Sequence, residues 1–230
     1  MIEVTTTAMP RPEVLEKTYR SFTKNITGVD WTKSICYINI DPLPGKKKEV
    51  EETEKVAQKF FGKVVSRKPK AANYTLAYKW LWSQPKKKFF INIEDDWELL
   101  EKISLEALLR GFDKSKIAVP LRAYSYLYQT CPTSPSVYRT SFFKNVSDFM
   151  KGEENPETQL HEYINQNYKK YADKKHRIVN IYPYGEWRLV VKDIGREWMD
   201  KTDYVRPQML DKKDKRYKKK CHFTQWLVRP

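Results

Sequence analysis

The segment from Phe89 to Trp97 constrains this chain more than any other, because a short apolar run leads directly into three consecutive carboxylates. The run from Phe89 to Ile93 is rich in aromatic and β-branched residues and follows a polar break, so it predicts a buried strand. Glu94, Asp95 and Asp96 come directly after that strand. In an open α/β sheet ligands bind at the carboxyl ends of the strands, so the pattern predicts a binding site there.

Two of these acids are suited to holding a metal ion. Glu94 and Asp96 are two residues apart, so in an extended backbone their side chains point the same way and can share one hard divalent cation. Asp95 would then face the other side. The alternative is that Asp95 or Asp96 caps a helix beginning near Trp97, since Asp is a favoured N-cap residue. Capping needs one acid and the segment has three, which favours the metal interpretation.

The residues before Glu94 alternate between strand-like and helix-like patterns. Strands are predicted at Ile2–Thr6, Ile35–Ile40, Lys63–Ser66 and Phe89–Ile93, and helices at Pro12–Thr23, Val50–Phe61 and Ala71–Trp82. This rhythm predicts a mostly parallel sheet with right-handed crossovers. The second half is less regular. Its predicted helices are Ser104–Gly111, Ser141–Met150 and Glu157 to about Lys170, and its predicted strands are Ile117–Pro120, Ser136–Tyr138, Ile178–Tyr182 and Trp187–Val191.

Length and cysteine content bound the class of protein. A chain of 230 residues predicts one domain over residues 1–200, followed by a polar, basic tail over 201–230. Its three cysteines are odd in number and have no C-x-x-C spacing, which argues against a disulfide framework or a zinc site and indicates the cytosol. Cys36 lies in an apolar run and is predicted to be a core residue. Without an 18-residue apolar stretch or a secretion signal, we expect no transmembrane segment and a cytoplasmic location.

The net charge indicates a polyanionic partner. Lys and Arg number 44 against 29 Asp and Glu, a formal charge of +15. Such an excess is typical of proteins that bind nucleic acid or anionic lipid, although a lysine-rich surface also serves solubility. Lysine runs occur at 46–48, 86–88, 212–213 and 218–220. They form a binding surface only if they share a face, because isolated runs are usually solvated loops.

The common nucleotide and hydrolase motifs are absent, since no G-x-G-x-x-G, Walker A, G-x-S-x-G or H-E-x-x-H occurs. An α/β domain with an acidic site remains. In this respect the chain resembles the GT-A glycosyltransferases, particularly the family-2-like members. The matching segments, in the family's order, are Thr5-Thr6-Thr7, Arg11-Pro12-Glu13-Val14-Leu15, Asp41, Ala72-Asn73, Glu94-Asp95-Asp96-Trp97 as a D-x-D-like motif, and Asp193-Ile194-Gly195-Arg196.

The resemblance implies a Rossmann-like, mostly parallel sheet flanked by helices, with a nucleotide-sugar half over residues 1–100 and an acceptor half over 101–200. It implies a hexosyltransferase-type enzyme with a nucleotide-sugar donor, a UDP-sugar being the first expectation. Mn²⁺ or Mg²⁺ would bind Glu94 and Asp96 and act as a Lewis acid on the leaving diphosphate, which makes Asp96 a candidate catalytic residue. The donor-binding residues implied are Thr6, Arg11, Asp41, Asn73, Glu94 and Asp95.

An inverting transferase of this family also needs a base that deprotonates the acceptor hydroxyl. Relatives place it at the start of a helix well after the metal motif, and Glu157, after Asn155-Pro156, matches that position best. Glu153 and Glu154 are alternatives. A first-turn acid is also favoured by the helix dipole alone. A retaining enzyme would need no such base.

The sequence does not identify the acceptor directly. Residues that could bind acceptor or phosphate are Arg122, Tyr124, Arg139, Trp187 and Arg196, because guanidinium pairs two oxygens and aromatic rings stack on bases. The charge favours a DNA acceptor, with a hydroxylated base flipped into the site, as in phage-type DNA-modifying glycosyltransferases acting in a bacterial or virus-infected host cytoplasm. One alternative is a transferase that builds a cell-surface or lipid-linked glycan. Another is a non-catalytic nucleic-acid-binding protein, which leaves the three acids unexplained.

Overall fold

The computed structural model describes residues 1–110, 112, 117–121, 133–152, 154–167, 190–202, 204–205 and 227–228. Helices and strands alternate through most of the first half. The helices are α1 Pro12–Asn25, α2 Lys47–Phe60, α3 Tyr74–Ser83, α4 Leu105–Arg110, α5 Thr140–Phe149, α6 Pro156–Gln166 and α7 Gly195–Asp200. The strands are β1 Glu3–Ala8, β2 Ile26–Thr27, β3 Ile35–Ile40, β4 Lys63–Arg67, β5 Phe89–Asn92, β6 Trp97–Leu99, β7 Ile103–Ser104, β8 Ala118–Pro120, β9 Ser136–Arg139, β10 Val191–Asp193, β11 Tyr204–Val205 and β12 Leu227–Val228.

A six-stranded sheet forms the centre of the molecule, in the order β4-β3-β1-β5-β9-β8. The first four strands are parallel, β9 is antiparallel to β5, and β8 is antiparallel to β9. This arrangement confirms the predicted α/β class with a mostly parallel sheet. The division into domains stays a prediction.

Helices cover both faces of this sheet, because alternate residues of each strand point to opposite sides. Along β3, Cys36 and Ile38 belong to one buried apolar cluster and Tyr37 to the other. Helices α1 and α2 complete the first cluster, and α3 and α5 complete the second. Cys36 is fully buried, which confirms its predicted place in the core.

Helix α1 shows how the sequence sets local structure near the site. Pro12 stands in its first turn, where the missing N–H of proline costs no helical hydrogen bond. Its buried residues recur at helical spacing and are Val14, Leu15, Thr18, Tyr19 and Phe22. This face packs into the core beside β1, and so Arg11, the residue before the helix, lies next to the carboxyl end of that strand.

The acidic segment lies where the chain reverses its direction across the sheet. From β1 the chain adds β3 and β4 on one side, and it then returns to place β5 on the other side of β1. Such a reversal opens a crevice at the carboxyl ends of the two central strands. The backbone ladder continues past β5, since Ile93 N–H donates to Thr5 O at 2.9 Å and Asp95 N–H donates to Thr7 O at 3.1 Å. The three acids are thereby delivered to the crevice by backbone pairing.

Several predicted boundaries differ from the structure. No helix begins at Trp97, because residues 97–99 form β6, which pairs with β10, so the helix-capping alternative for the acids is wrong. Helix α3 begins at Tyr74, three residues later than predicted, because Asn73 caps it. The predicted strand at Ile178–Tyr182, and Trp187 at the start of the next, lie outside the described residues. No helix within the described ranges is long and apolar enough to cross a membrane.

Candidate active site

Asp95 is held by a buried guanidinium. Arg11 Nε donates to Asp95 Oδ2 and Arg11 Nη2 donates to Asp95 Oδ1, both at 2.8 Å. The same Nη2 donates to Asp96 Oδ2 at 2.8 Å. Met9 N–H adds a bond to Asp95 Oδ2 at 2.9 Å, and Thr18 Oγ1 donates to the Asp95 carbonyl at 2.8 Å. Asp95 is therefore fixed to β1 and α1 from several directions.

The electrostatics of this cluster balance burial against pairing. Burial by itself would lower the pKa of Arg11, but Asp95 and then Asp96 outweigh it and raise that pKa. Burial raises the pKa of Asp95 above its usual range, although Arg11 acts in the opposite direction. Arg11, only 2% exposed, is a charge partner of the acids. Donor binding by Arg11 and Asp95 stays a prediction.

Glu94 is held by side-chain donors instead. Its Oε1 accepts from the Tyr74 hydroxyl at 2.8 Å and the Tyr78 hydroxyl at 3.0 Å, and its Oε2 accepts from Trp97 Nε1–H at 2.9 Å. Burial, followed by the negative charge of Asp96, raises the pKa of Glu94 to about 7. Glu94 and Asp96 thus lie close enough to repel each other.

We predicted that Glu94 and Asp96 point the same way because the backbone stays extended between them, and this reason is wrong. The chain turns at Asp95 and Asp96 and does not stay extended past the strand, and the turn brings the carboxylates of Asp95 and Asp96 to one nitrogen of Arg11. Asp95 therefore does not face away from Asp96.

Glu94 and Asp96 are suited to a cation whose other ligands are phosphate oxygens and water. Within the described part of the chain, no group of three or more His, Cys, Asp and Glu side chains is arranged to hold a metal ion. Glu94 and Asp96 alone would supply two carboxylates. Mg²⁺ and Mn²⁺ sites on nucleotide diphosphates typically use one or two carboxylates, with phosphate oxygens and water completing the shell. Two repelling carboxylates fit that class, and the metal role of both stays a prediction.

Across the crevice, Asp41 follows β3. Its Oδ1 accepts from Asn39 Nδ2 at 2.8 Å, and the backbone N–H of Asn73 also donates to it. Burial raises the pKa of Asp41 to about 6, although Asn39 and the nearby Arg67 act in the opposite direction. Asn73 uses its side chain to cap α3 through Leu76 N–H at 2.9 Å. The structure therefore brings Asp41 and Asn73 together, as the donor-site prediction requires.

Sequence reasoning missed Arg67 at this place. It ends β4 and donates through Nη1 to the Leu76 carbonyl at 2.8 Å and to Asn39 Oδ1 at 3.3 Å. One among many basic residues, it has no distinguishing motif. Its position at the carboxyl end of a predicted strand was the usable indication.

Thr6 lies in the core below the crevice. Its side chain is fully buried, beneath α1 and beside Tyr19 and Cys36. A place for Thr6 in the donor site stays a prediction, and the side chain has no exposed surface for a ligand.

Glu157 is in the first turn of α6, where Asn155 caps the helix through Glu157 N–H at 2.8 Å. Its Oε1 accepts from Thr133 Oγ1 at 2.9 Å. Thr133 Oγ1 is 3.1 Å from the Tyr74 hydroxyl, which also contacts Glu94. The structure thus links the candidate base to the acidic segment. Glu154 offers its backbone carbonyl to Thr75 and Gln159, and Glu153 lies outside the described residues.

The predicted acceptor residues are divided by the fold. Arg139 ends β9, which is antiparallel to β5, so Arg139 lies opposite Phe89 at the far edge of the sheet from the acids. Its guanidinium lies over the Phe89 ring, 5.4 Å from the centroid. Arg196, on α7, is exposed next to Gly195. The remaining predicted acceptor residues, Arg122, Tyr124 and Trp187, lie outside the described residues.

A late segment returns to close the site from the side of Arg11. Ile194 N–H donates to the Asp96 carbonyl at 2.8 Å, and Gly195 follows so closely that a Cβ there would overlap Asp96 Oδ2. The Arg11 guanidinium lies 5.3 Å from the centroid of the Trp198 ring. The Tyr204 ring stacks on Trp198, with 5.5 Å between the ring centroids. Sequence reasoning included residues 193–196 in the resemblance but missed Trp198.

The fold of this chain is similar to that of solved glycosyltransferase structures. No protein-family model matches the chain, and no curated protein matches it. Among solved structures, the mannosyltransferase PcManGT from Pyrobaculum calidifontis, in complex with GDP-Man and Mn²⁺, has a TM-score of 0.55 at 7% identity over 74% of this chain and 53% of that one. TarS from S. aureus, in complex with UDP-GlcNAc, has a TM-score of 0.52 at 12% identity over 72% of this chain and 54% of that one.

The chain has the GT-A fold. The predicted fold is therefore confirmed, and the structural neighbours are glycosyltransferases. The chain spans about half the length of these solved structures. At such low identity the likeness concerns the GT-A fold alone, and it assigns no substrate to this chain.

Proposed function

We propose that this chain is a metal-dependent glycosyltransferase that moves a sugar from a nucleotide-sugar donor to an acceptor hydroxyl. The observation that carries the proposal is the position of Glu94 and Asp96 at the reversal point of a GT-A sheet. Asp41 and Asn73 lie across the same crevice, at the ends of neighbouring elements. Ligands of open α/β sheets bind at this place.

The donor proposal divides the crevice into two parts. Asp41, with Arg67 beside it, would bind the nucleoside, and Glu94 and Asp96 would hold Mn²⁺ or Mg²⁺ on the diphosphate. The cation would supply positive charge to the leaving nucleoside diphosphate. PcManGT binds GDP-Man with Mn²⁺ and TarS binds UDP-GlcNAc, which supports a sugar nucleotide as the ligand class. A UDP-sugar is our first candidate.

Glu157 is our candidate for the base of an inverting reaction. Thr133 fixes its Oε1, and among the described residues no hydrogen bond reaches its Oε2. Glu157 is an exposed residue, and a carboxylate with one oxygen held by a partner is suited to accept the proton of an acceptor hydroxyl with the other. If Glu153 or Glu154 were the base, the contact between Thr133 and Glu157 would have no role in the reaction.

For the acceptor we propose a hydroxylated base in DNA, and the support is the net charge of +15. The described lysine runs do not form one surface, because 46–48 follow the carboxyl end of β3 and 86–88 precede the amino end of β5. The charge of residues 201–230 is then the main candidate contact. A glycan acceptor and a non-catalytic nucleic-acid-binding protein are the competing proposals. A cytoplasmic location stays a prediction.

The first experiment is a thermal-shift panel of UDP-, GDP-, dTDP- and CMP-sugars, each with and without Mn²⁺. We expect a Mn²⁺-dependent shift for one donor that is lost in Asp96→Asn. Glu98→Gln is the matched control, since Glu98 is an acid two residues away that pairs with the surface residue Lys17. No shift with any donor, or an equal loss in both variants, would overturn the donor proposal.

The acceptor is tested separately by the salt dependence of DNA binding. Charge reversal at residues 218–220 should weaken DNA binding and reduce the slope of affinity against salt by about 1 for each phosphate that the segment no longer neutralises. Donor binding should be unchanged. Equal DNA affinity in both proteins would show that this segment does not bind DNA.

A further inference from the structure

A chain of close polar contacts joins the candidate base to the candidate metal ligand. Glu157 Oε1 accepts from Thr133 Oγ1 at 2.9 Å, and Thr133 Oγ1 lies 3.1 Å from the Tyr74 hydroxyl. That hydroxyl donates to Glu94 Oε1 at 2.8 Å. The chain crosses from α6 through the segment before β9 to α3 and the acidic segment, four parts of the fold that are far apart in sequence.

The chain has fewer protons than contacts. Tyr74 and Thr133 each carry one hydroxyl proton. When Tyr74 donates to Glu94 and Thr133 donates to Glu157, no proton remains between the two hydroxyl oxygens 3.1 Å apart. That contact becomes a hydrogen bond if either hydroxyl turns: Tyr74 from Glu94 to Thr133, or Thr133 from Glu157 to Tyr74. Loss of Glu94 as an acceptor would favour the first of these. Tyr74 therefore has two close alternative acceptors and one proton.

The surroundings favour these two acceptors over any other described oxygen. The Tyr78 hydroxyl is 3.4 Å from that of Tyr74, farther than either Glu94 Oε1 or Thr133 Oγ1. A tyrosine hydroxyl carries its proton at neutral pH and can therefore act as the donor in either contact. Thr133 is only 3% exposed, and buried hydroxyls find protein partners because leaving them unpaired is costly. Glu94 would retain the Tyr78 donor at 3.0 Å if Tyr74 turned away.

We propose that Tyr74 is a positioning residue whose single hydroxyl proton is shared between Glu94 and the Thr133–Glu157 pair. This inference rests on the proposed function. When Glu94 Oε1 engages a cation, the Tyr74 proton loses its acceptor and turns to Thr133. Thr133 then accepts one hydrogen bond while it donates the other, which strengthens its hold on Glu157, because hydrogen bonds in a chain polarise one another. Filling the donor side thereby orients the base on the acceptor side.

Tyr78 provides a matched control within the same site. Its hydroxyl also donates to Glu94 Oε1, at 3.0 Å, and it is equally an α3 tyrosine of the buried cluster. It reaches the Thr133 carbonyl at 3.3 Å, and the Tyr74 contact is the one that reaches Thr133 Oγ1. Tyr78→Phe therefore removes a Glu94 donor and leaves the chain to Glu157 intact, whereas Tyr74→Phe breaks it.

The test follows the carboxyl carbons of Glu94 and Glu157 by NMR in the full chain labelled with ¹³C at the glutamate side-chain carboxyl. Mg²⁺ with UDP is the probe, since both are diamagnetic. We expect both signals to move on addition of the probe in the wild type and in Tyr78→Phe. In Tyr74→Phe the Glu94 signal should still move, and the movement at Glu157 should be largely lost, because the contact that joins the two acids is broken. Thr133→Val is a second variant with the same expected result.

The two proposals fail in different ways. Movement at Glu94 without movement at Glu157 in the wild type, or equal movement at Glu157 in Tyr74→Phe, overturns the positioning role and leaves the donor site standing. No movement at Glu94 in any protein overturns the cation site itself, and the positioning role with it.

Kinetics provide a second readout if transfer is measured with the donor that the thermal-shift panel identifies. Tyr74→Phe should lower kcat about tenfold, as for a misoriented general base, with the donor KM within about twofold. The double variant with Glu157→Gln should be no slower than Glu157→Gln alone, because Tyr74 acts through Glu157. Additive effects would mean that Tyr74 acts elsewhere, and would contradict the inference.

Discussion

Buried carboxylates lie at both ends of the strands of the central sheet, Glu3 at the amino ends and the acidic segment at the carboxyl ends, and they are held in different ways. At the amino edge, Glu3 is 1% exposed and accepts from the backbone N–H groups of Lys86 at 2.7 Å and Lys87 at 2.6 Å. The Tyr37 hydroxyl adds a bond at 3.2 Å. At the carboxyl edge, the donors to Glu94 in the described structure all belong to side chains.

The kind of donor distinguishes a carboxylate that stabilises the fold from one that is suited to bind a ligand. Backbone donors are fixed by the fold, so Glu3 can only fasten the loop before β5 to β1. Side-chain hydroxyls can turn, so Glu94 can exchange its partners for a ligand. Asp95 is also held firmly, because the backbone N–H of Met9 and the buried guanidinium of Arg11 together engage both of its oxygens. Adjacent acids of one motif are therefore held differently, and Asp96, which contacts Arg11 and lies near Glu94, lies between them.

The largest effect is expected when the fixed part of the acidic cluster is broken. Arg11→Met would leave Asp95 and Asp96 buried without their countercharge, and such a change typically costs about 3 to 5 kcal/mol of unfolding free energy. Urea unfolding measures it.

Arg20→Met is the matched control for this variant. Arg20 lies on the same helix, is 68% exposed and pairs with Glu16, so its replacement should cost less than about 1 kcal/mol. If both variants are destabilised equally, Arg11 does not hold the acidic cluster together.

The second effect concerns the opposite edge. Glu3→Ala would leave two backbone N–H groups and the Tyr37 hydroxyl without their acceptor, which should cost about 2 to 3 kcal/mol. Glu3→Gln keeps one oxygen and should be less destabilising. Neither change should alter Mn²⁺ affinity, measured by calorimetry in the presence of UDP. A weakened metal site in a folded Glu3 variant would contradict the separation of the two edges.

The fold could be predicted from local patterns because the relevant information is local. Strand β3 has the predicted bounds Ile35–Ile40, since an apolar run there stands between a turn and the Asp41–Gly45 break. The acids were found for the same reason, as a strand followed by three carboxylates. The positions of the acids relative to each other could not be predicted, because Arg11 holds the turn at Asp95 and is 84 residues away.

The parts of the site that sequence reasoning missed are all long-range contacts. Thr133 has no motif around it, and it joins Tyr74 and Glu157 only after β5 and β9 have paired. Trp198 reaches Arg11 because β10 pairs with β6. The spacing of these residues along the sequence does not indicate that they lie close together in the fold.

The third prediction tests the close approach of the late segment to Asp96. In Gly195→Ala the new Cβ would overlap Asp96 Oδ2 and lie 2.9 Å from Asp96 Cβ and Cγ. We expect stability to fall by about 1 to 3 kcal/mol from overpacking, together with weaker Mn²⁺ binding, because the carboxylate must move. Asp200→Ala, an exposed change on the same helix α7, is the control. Unchanged Mn²⁺ affinity in Gly195→Ala would show that Asp96 is not a ligand in its present position.

The smallest expected effect is the change in stability and in metal affinity that each pH unit produces through Glu94. Burial and Asp96 raise the pKa of Glu94 from 4.5 to about 7, so the folded protein keeps this proton to a higher pH than the unfolded chain does. Stability should therefore fall as pH rises between these two values, since the folded state binds more protons there. Metal affinity should change in the opposite direction, because a cation binds the carboxylate and displaces the proton.

Calorimetry of Mn²⁺ with UDP should show affinity falling by up to about tenfold for each pH unit below 7, and levelling off above it. Glu94→Gln removes this dependence together with much of the affinity. Asp41, whose pKa burial raises to about 6, then accounts for the change that remains at lower pH, and Asp41→Asn should remove that part in turn. A wild-type affinity that is constant from pH 6 to 8 would mean that Glu94 does not release its proton to a cation, and the contrast with Glu3 would then have no functional consequence.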